Sequence, residues 1–260
     1  MFIILKRTRW MGFFVALIVP FFVASCTSNT PKKSVPGWQN PWPAAYQKAI
    51  EDARNPEPSE VVHNLTPIRQ DSRGLIWESI DGAPHVLMAS LVSDASYYKA
   101  HVGKSYNMGN YFAWVTAAPI LRNMCGGDGF SEGNMDMRLR EVLGLTPNAT
   151  IKDFVQFWVK EDHLFRPAPD NEISDSTAGL NFPSGTEAWY RAWFNDLRAK
   201  QYFQSTEPEN NAYPWTQLGY TYDWGSNASS EQGLSEFVIK SNADVVIEGI
   251  YGIEEYCSPH

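Results

Sequence analysis

The sequence predicts an α+β fold, with antiparallel strands at both ends of the chain and a helical middle section. Apolar runs bounded by turn residues occur before residue 118 and again after residue 216, which is typical of strands. Between these regions, apolar residues recur every three or four positions, which is typical of helices. Strands and helices that are grouped along a chain favour α+β over a regular βαβ arrangement.

The body of the chain begins with a predicted helix, PAAYQKAIEDAR. Pro43 suits its start, and Tyr46, Ala49, Ile50 and Ala53 fall on one face. Strand-like runs follow: EVVHNL, GLIWESI, HVLMASLV and YFAWVTAA. The turn sequence DGAP joins the second and third of these runs into a predicted hairpin.

The middle of the chain contains the predicted helical section. Pro119 begins a helical turn toward Cys125, and a glycine-rich loop follows. The segments MDMRLREVLG and IKDFVQFWVK are predicted helices. A longer helix, AWYRAWFNDLRAKQYF, places Trp189, Trp193 and Leu197 at a four-residue spacing, and we expect them to face the core. Near the C-terminus, SEFVIK and DVVIEGIYG are predicted to form a hairpin around SNA.

The N-terminus has the three zones of a secretory signal peptide. Lys6, Arg7 and Arg9 precede the apolar segment 10–23, and small residues follow it up to Cys26. The apolar segment is shorter than the roughly 20 residues that a spanning helix needs. The order Val-Ala-Ser-Cys over residues 23–26 resembles the lipobox of bacterial lipoproteins, in which the cysteine thiol is lipidated and the chain is cut before it.

This resemblance implies three regions: a signal peptide over residues 1–25, a flexible tether over 26–42, and a single periplasmic α+β domain over 43–260. The tether is rich in Pro, Ser, Thr and Asn and has no apolar periodicity. The implied partner is a lipid bilayer, held through lipidated Cys26. Residue 27 is Thr and not Asp, which resembles a protein sent to the outer membrane if the organism is Gram-negative.

The acidic charge of the chain argues against nucleic acid as a partner. The chain has 21 basic and 29 acidic residues, and the signal peptide removes three of the basic ones and none of the acidic ones. A body this acidic argues against nucleic-acid binding, because phosphate contacts need clustered Lys and Arg.

Cysteine usage predicts a disulfide. If Cys26 carries lipid, Cys125 and Cys257 remain, and an oxidising envelope favours a bond between them. A cysteine nucleophile at Cys125 is the alternative, since some envelope lipoproteins resemble papain-like peptidoglycan peptidases. The residues after Cys125 are Gly126 and Gly127 instead of the Ser-Gly of that family.

Four acidic residues are candidates for a ligand or catalytic site. Asp170, Glu172 and Asp175 are close in sequence, and Asp223 lies among aromatic residues. Carboxylates beside Trp and Tyr suit sugar binding, or glycoside hydrolysis by two acids that flank the bond. The GFSEG segment around Ser131 matches a hydrolase motif, but a glycine-rich loop in which Ser131 caps a helix is the favoured interpretation. No cofactor or metal site is predicted.

These observations predict a membrane-anchored, periplasm-facing lipoprotein with a binding or envelope-maintenance role. The alternative is an envelope hydrolase that acts on peptidoglycan or another glycan. The sequence leaves open whether the protein is an enzyme and whether its partner is a protein or a glycan.

Overall fold

A computed structural model of the protein describes residues 43–127, 129–131, 133–203 and 212–258. The strands are β1 (Trp77–Ile80), β2 (Ala83–Val92), β3 (Ser105–Asn107), β4 (Ala113–Ala117), β5 (Asp153–Val159), β6 (Leu164–Phe165), β7 (Tyr220–Tyr222), β8 (Gln232–Ser235), β9 (Phe237–Ile239) and β10 (Asp244–Gly252). The α-helices are α1 (Ala44–Ala53), α2 (Ser96–Lys99), α3 (Ala118–Cys125), α4 (Met135–Val142), α5 (Ala188–Tyr202) and α6 (Ile253–Cys257). Within these ranges, no helix combines the length and the apolar character needed to cross a membrane.

One antiparallel sheet of eight strands dominates the described chain. Its order is β3-β10-β5-β2-β4-β9-β6, β1 pairs with β2 outside this path, and β7 and β8 form a separate pair. The predicted α+β class is confirmed. The predicted helical middle section is wrong, because β5 and β6 run through it and the helices are interspersed among the strands.

Strand β5 lies where the sequence pattern predicts a helix. It pairs with β2 on one side and with β10 on the other. Phe154 and Val155 are successive residues, point to opposite faces and are both fully buried. A strand that is buried on both faces lacks the alternation of apolar and polar residues. The pattern of IKDFVQFWVK is therefore the same as that expected for a buried helix.

The sheet curls on itself between β9 and β10. Residues 240–243 connect these two strands, although β5, β2 and β4 lie between them in the sheet order. Asn242 makes this turn possible with a left-handed backbone (φ 59°). Side chains of six strands, among them Met88, Phe157 and Phe237, meet in one buried core. The predicted β9–β10 hairpin is wrong, since β9 pairs with β4 and β6.

Helix α5 packs an aromatic face against α1 and the outer side of the sheet. Tyr190 and Phe194 are buried, and Trp193 and Leu197 pack against them. Trp189 is 41% exposed, so its predicted place in the core is wrong. The buried face is centred on Tyr190 and Phe194, one residue further along the chain than the predicted stripe.

Several N-terminal predictions are confirmed. Helix α1 buries Tyr46, Ala49, Ile50 and Ala53 on one face. The β1–β2 hairpin turns at residues 81–82, both of which have positive φ, as a type I′ turn requires. The run EVVHNL, by contrast, forms no strand.

The predicted disulfide between Cys125 and Cys257 is present. Cys125 is the last residue of α3, and Cys257 is the last residue of α6. Both are buried with Tyr256, whose ring stacks on Phe154 of β5 with 4.0 Å between centroids. The bond therefore fixes the C-terminal helix to the outer face of the sheet.

Candidate functional site

Three of the four predicted acids surround a buried arginine. Arg166 follows β6, has no exposed surface, and donates from Nη1 to Asp175 Oδ1 (3.3 Å) and to the Thr177 carbonyl oxygen (2.8 Å). Glu172 accepts a hydrogen bond from the Asp175 backbone (3.1 Å). Burial lowers the pKa of Arg166, while the charges of Asp175, Glu172 and Asp170 raise it. These acids therefore hold a loop around a buried cation.

The fourth predicted acid, Asp223, has different partners. Its carboxylate pairs with the Arg138 guanidinium of α4 through both oxygens, one of them at 2.7 Å. Arg138 also contacts Glu141 at 3.3 Å. The contact with Asp223 raises the pKa of Arg138. The structure thus brings Asp170, Glu172 and Asp175 together, and it places Asp223 in an ion pair that joins β7 to α4.

A cavity lies on the outer face of the sheet, and no predicted site residue lines it. Its volume is about 370 Å³. A smaller compartment of about 100 Å³ adjoins it. The two compartments share five lining residues: Trp114, Leu143, Leu145, Thr221 and Glu236. Helix α5 closes one side of the larger compartment with Leu197 and Gln201.

Glu236, which is partly exposed, is the one acidic or basic residue among the described residues that line the cavity. It sits between β8 and β9, and its backbone N–H donates to the carbonyl oxygen of Gly219 (2.9 Å). Burial raises the pKa of its carboxyl to about 8, and no neighbouring charge contributes to that shift. At neutral pH, this carboxyl is therefore mostly protonated.

The loop around Arg166 supports the backbone that holds Glu236. Gly219 has φ 78°, and a Cβ atom at this position would lie 2.4 Å from Cδ of Arg166. Only glycine permits this close approach. Thus the Arg166–Asp175 pair positions Gly219, and Gly219 positions Glu236.

Thr116 provides a second polar group in the cavity. The residue is 5% exposed and lines the smaller compartment, and its Oγ1 has no hydrogen-bond partner within the described ranges. Thr221, which also lines the cavity, is satisfied: its hydroxyl donates to the Val142 carbonyl oxygen (2.6 Å) and accepts from Leu234 N–H (2.9 Å). An unsatisfied buried hydroxyl costs about 1–3 kcal/mol, so Thr116 is a natural contact for a ligand.

Aromatic rings form the walls of the larger compartment. Trp114 and Trp215 meet edge to face, with 6.1 Å between ring centroids. Trp215 donates from its indole to the Pro167 carbonyl oxygen (3.1 Å), and the Tyr222 hydroxyl donates to Asp52 (2.9 Å). These hydrogen bonds fix two of the rings, so the cavity is largely preformed.

Asp52, Glu60 and Glu231 are the described residues that could hold a metal ion. One oxygen from each carboxylate lies within 4.8 Å of the others. Lys48 already lies 3.8 Å from Glu231. Such acidic groups are common at protein surfaces without an ion. The cluster therefore supports no metal assignment.

The other motifs from the sequence yield no catalytic arrangement. Cys125 is bonded to Cys257, so it has no thiol to serve as a nucleophile. Ser131 is exposed and follows helix α3, whereas the hydrolase motif needs a preceding strand.

The cavity can hold a compact molecule that is mostly apolar and carries a polar group. The walls supply apolar and aromatic contact, and Glu236 and Thr116 supply hydrogen bonds at one end. Sequence reasoning missed both residues. The available signal was a glutamate within the apolar strand segment SEFVIK, at a position where alternation places it on the same face as Val238.

Comparison of the chain with protein-family models, with curated proteins and with solved structures finds no match.

Proposed function

We propose that the protein is a lipid-anchored binding protein of the cell envelope, which holds a small, largely apolar ligand in the cavity beside Glu236. One observation carries this proposal: the buried Thr116 hydroxyl, which has no hydrogen-bond partner among the described residues, and the partly exposed Glu236 carboxyl line the same apolar cavity. Ligand sites are usually concave and apolar with a few convergent polar groups.

The anchor rests on the N-terminal sequence. Cys26 follows a signal-type segment and is followed by a polar tether, all of which lies outside the described residues. Lipidation would hold the domain at a membrane, and the outer membrane is favoured if the organism is Gram-negative. A protein held there and carrying an apolar cavity suits the binding or delivery of an envelope molecule.

An envelope hydrolase is the second candidate. A carboxyl with a pKa near 8 is protonated at neutral pH and could act as a general acid. Glycoside hydrolysis, however, needs a second carboxylate across the bond, and Glu236 is the sole carboxylate among the described lining residues. The apolar walls also suit a glycan less well than they suit an apolar ligand.

Native mass spectrometry of the full-length protein, extracted gently from its own membrane, tests the binding function. The wild type should carry a discrete small-molecule mass. Leu197→Trp enlarges a side chain in the cavity wall on α5 and should reduce the occupied fraction. Ala192→Trp makes a comparable change at an exposed position of the same helix and should leave occupancy unchanged. Equal small-molecule content in the wild type and Leu197→Trp would contradict the proposal.

A further inference from the structure

The titratable side chains that line the cavity beside Glu236 restrict the class of ligand that it can bind. Besides Glu236, the titratable groups among its described lining residues are Tyr213 and Tyr222. Neither carries a positive charge, and no Lys, Arg or His lines either compartment within the described ranges. An ionised Glu236 would therefore have no counter-charge from these walls.

A site for a cation combines a negative charge, which Glu236 can provide, with aromatic rings, which the cavity walls provide. Trp114, Trp215, Tyr213 and Tyr222 line the larger compartment. The face of an aromatic ring attracts a cation, most strongly for Trp, and the attraction grows when the site excludes water. A carboxylate among aromatic rings is the arrangement that binds organic ammonium groups, because the rings accept the apolar substituents as well as the charge.

We propose that the ligand is an organic cation, an amine or quaternary ammonium with an apolar body, whose positive charge pairs with the Glu236 carboxylate between aromatic walls. This inference deepens the proposed function and rests on it. The apolar body would fill the space beside Leu143 and Leu145, and a hydroxyl or carbonyl group of the ligand would satisfy Thr116.

Proton linkage follows from this pairing. The free protein keeps Glu236 mostly protonated at pH 7, so a cation that binds the carboxylate must displace the proton. With a pKa of about 8, this requirement weakens binding only about tenfold at pH 7. An ammonium group among desolvated aromatic rings can recover a factor of this size. Binding should therefore release nearly one proton per ligand at pH 7 and strengthen as the pH rises to 8.

A matched pair of probes tests the inference: choline and its uncharged isostere 3,3-dimethylbutan-1-ol. Isothermal titration calorimetry of the full-length protein at pH 8.5 should show choline binding at least about tenfold more tightly than the alcohol. Glu236→Gln should remove this preference while the alcohol still binds. Glu161→Gln deletes the same charge at an exposed site that lines neither compartment, and it should keep the preference. Titration at pH 7 in phosphate and in MOPS, which differ in ionisation enthalpy and carry no net positive charge, should show the release of a proton.

The outcomes separate this inference from the proposed function. If the alcohol binds as tightly as choline, or if Glu236→Gln keeps the preference for choline, the cation inference is wrong while ligand binding in the cavity stands. If neither probe binds, the cation inference is also wrong. The comparison of native masses for Leu197→Trp and Ala192→Trp then decides the proposed function independently.

Discussion

Thr116 and Glu236 lie at the same end of the β4–β9 ladder, each one residue beyond its last pair. The register pairs Val115 with Phe237, so its antiparallel continuation sets Thr116 opposite Glu236. Val115 and Phe237 belong to the inner core, whereas Thr116 and Glu236, which alternate with them along the chain, line the smaller compartment. These two polar residues of the cavity thus come from the same end of one ladder.

Glu236 should make stability depend on pH. Its folded pKa of about 8 lies above the ordinary value of 4.5, so between these values the folded state binds more protons than the unfolded state. The free energy of unfolding then falls as the pH rises, by at most about 1.4 kcal/mol per pH unit from this group. Glu236→Gln removes the effect. In urea denaturation, the free energy of unfolding of the variant relative to that of the wild type should increase from pH 4.5 to 8. Above pH 8 the difference should stay constant.

The comparison between the wild type and Glu236→Gln isolates this carboxyl. Burial also raises the pKa values of Glu60 and Asp170, but both residues titrate in the wild type and in the variant. Their contributions therefore cancel in the difference. A difference in unfolding free energy that is flat from pH 4.5 to 8 would show that Glu236 ionises normally and that the cavity is wetter than the geometry indicates.

Sequence patterns were most informative where one face of an element is buried and the other is solvated. Helix α1 is such a case, and its four buried residues follow directly from helical spacing. Strand β5 is the opposite case, because burial of Phe154 and Val155 on its two faces erases the periodic signal. The same ambiguity arises for any short apolar run in a sheet that is covered on both sides.

The candidate site was not predicted, because the environment of its polar residues depends on what covers the sheet. A glutamate on the outer face of a strand is normally exposed to water, and the segment SEFVIK predicts such an exposed glutamate. In the structure, Leu143 and Leu145 after α4, together with α5, line the same cavity as Glu236, which is only partly exposed. Three of the predicted acids, by contrast, were visible as a sequence cluster, yet Arg166 pairs with Asp175 of that cluster, and Arg138 pairs with Asp223.

Trp193 and Trp189 form a matched pair for testing the aromatic core. Trp193 packs edge to face on Phe165, with 4.8 Å between ring centroids, whereas Trp189 is 41% exposed. Trp193→Ala should lower the free energy of unfolding by about 2–4 kcal/mol, toward the lower part of the range for buried aromatic residues because Trp193 is only partly buried. Trp189→Ala should cost about 1 kcal/mol or less. Equal losses in chemical denaturation would contradict the assigned face of α5.

Lipidation of Cys26 remains a prediction from the sequence. Cys26→Ser removes the thiol that would carry the lipid, so the variant should be released into the aqueous fraction or remain as the unprocessed precursor. Fractionation of cells, with intact mass measurement of the membrane-bound form, checks this expectation. Ser28→Ala leaves the Cys26 thiol and the disulfide in place, and this variant should still fractionate with membranes. A processed Cys26→Ser protein that stays in the membrane fraction would disprove the lipid anchor.

The Cys125–Cys257 bond should contribute substantially to stability. It spans 132 residues and ties α6 to α3. The chain-entropy model assigns a loop of this size about 4–5 kcal/mol as an upper figure, because the bond restricts the unfolded chain. A variant with both Cys125→Ser and Cys257→Ser should therefore unfold at a clearly lower urea concentration than the oxidised wild type. Reductant should lower the midpoint of the wild type toward that of the variant and leave the variant unchanged. If reductant does not move the midpoint of the wild type, and alkylation shows that both thiols have been freed, then packing of Tyr256 on Phe154 holds the C-terminal helix without the bond.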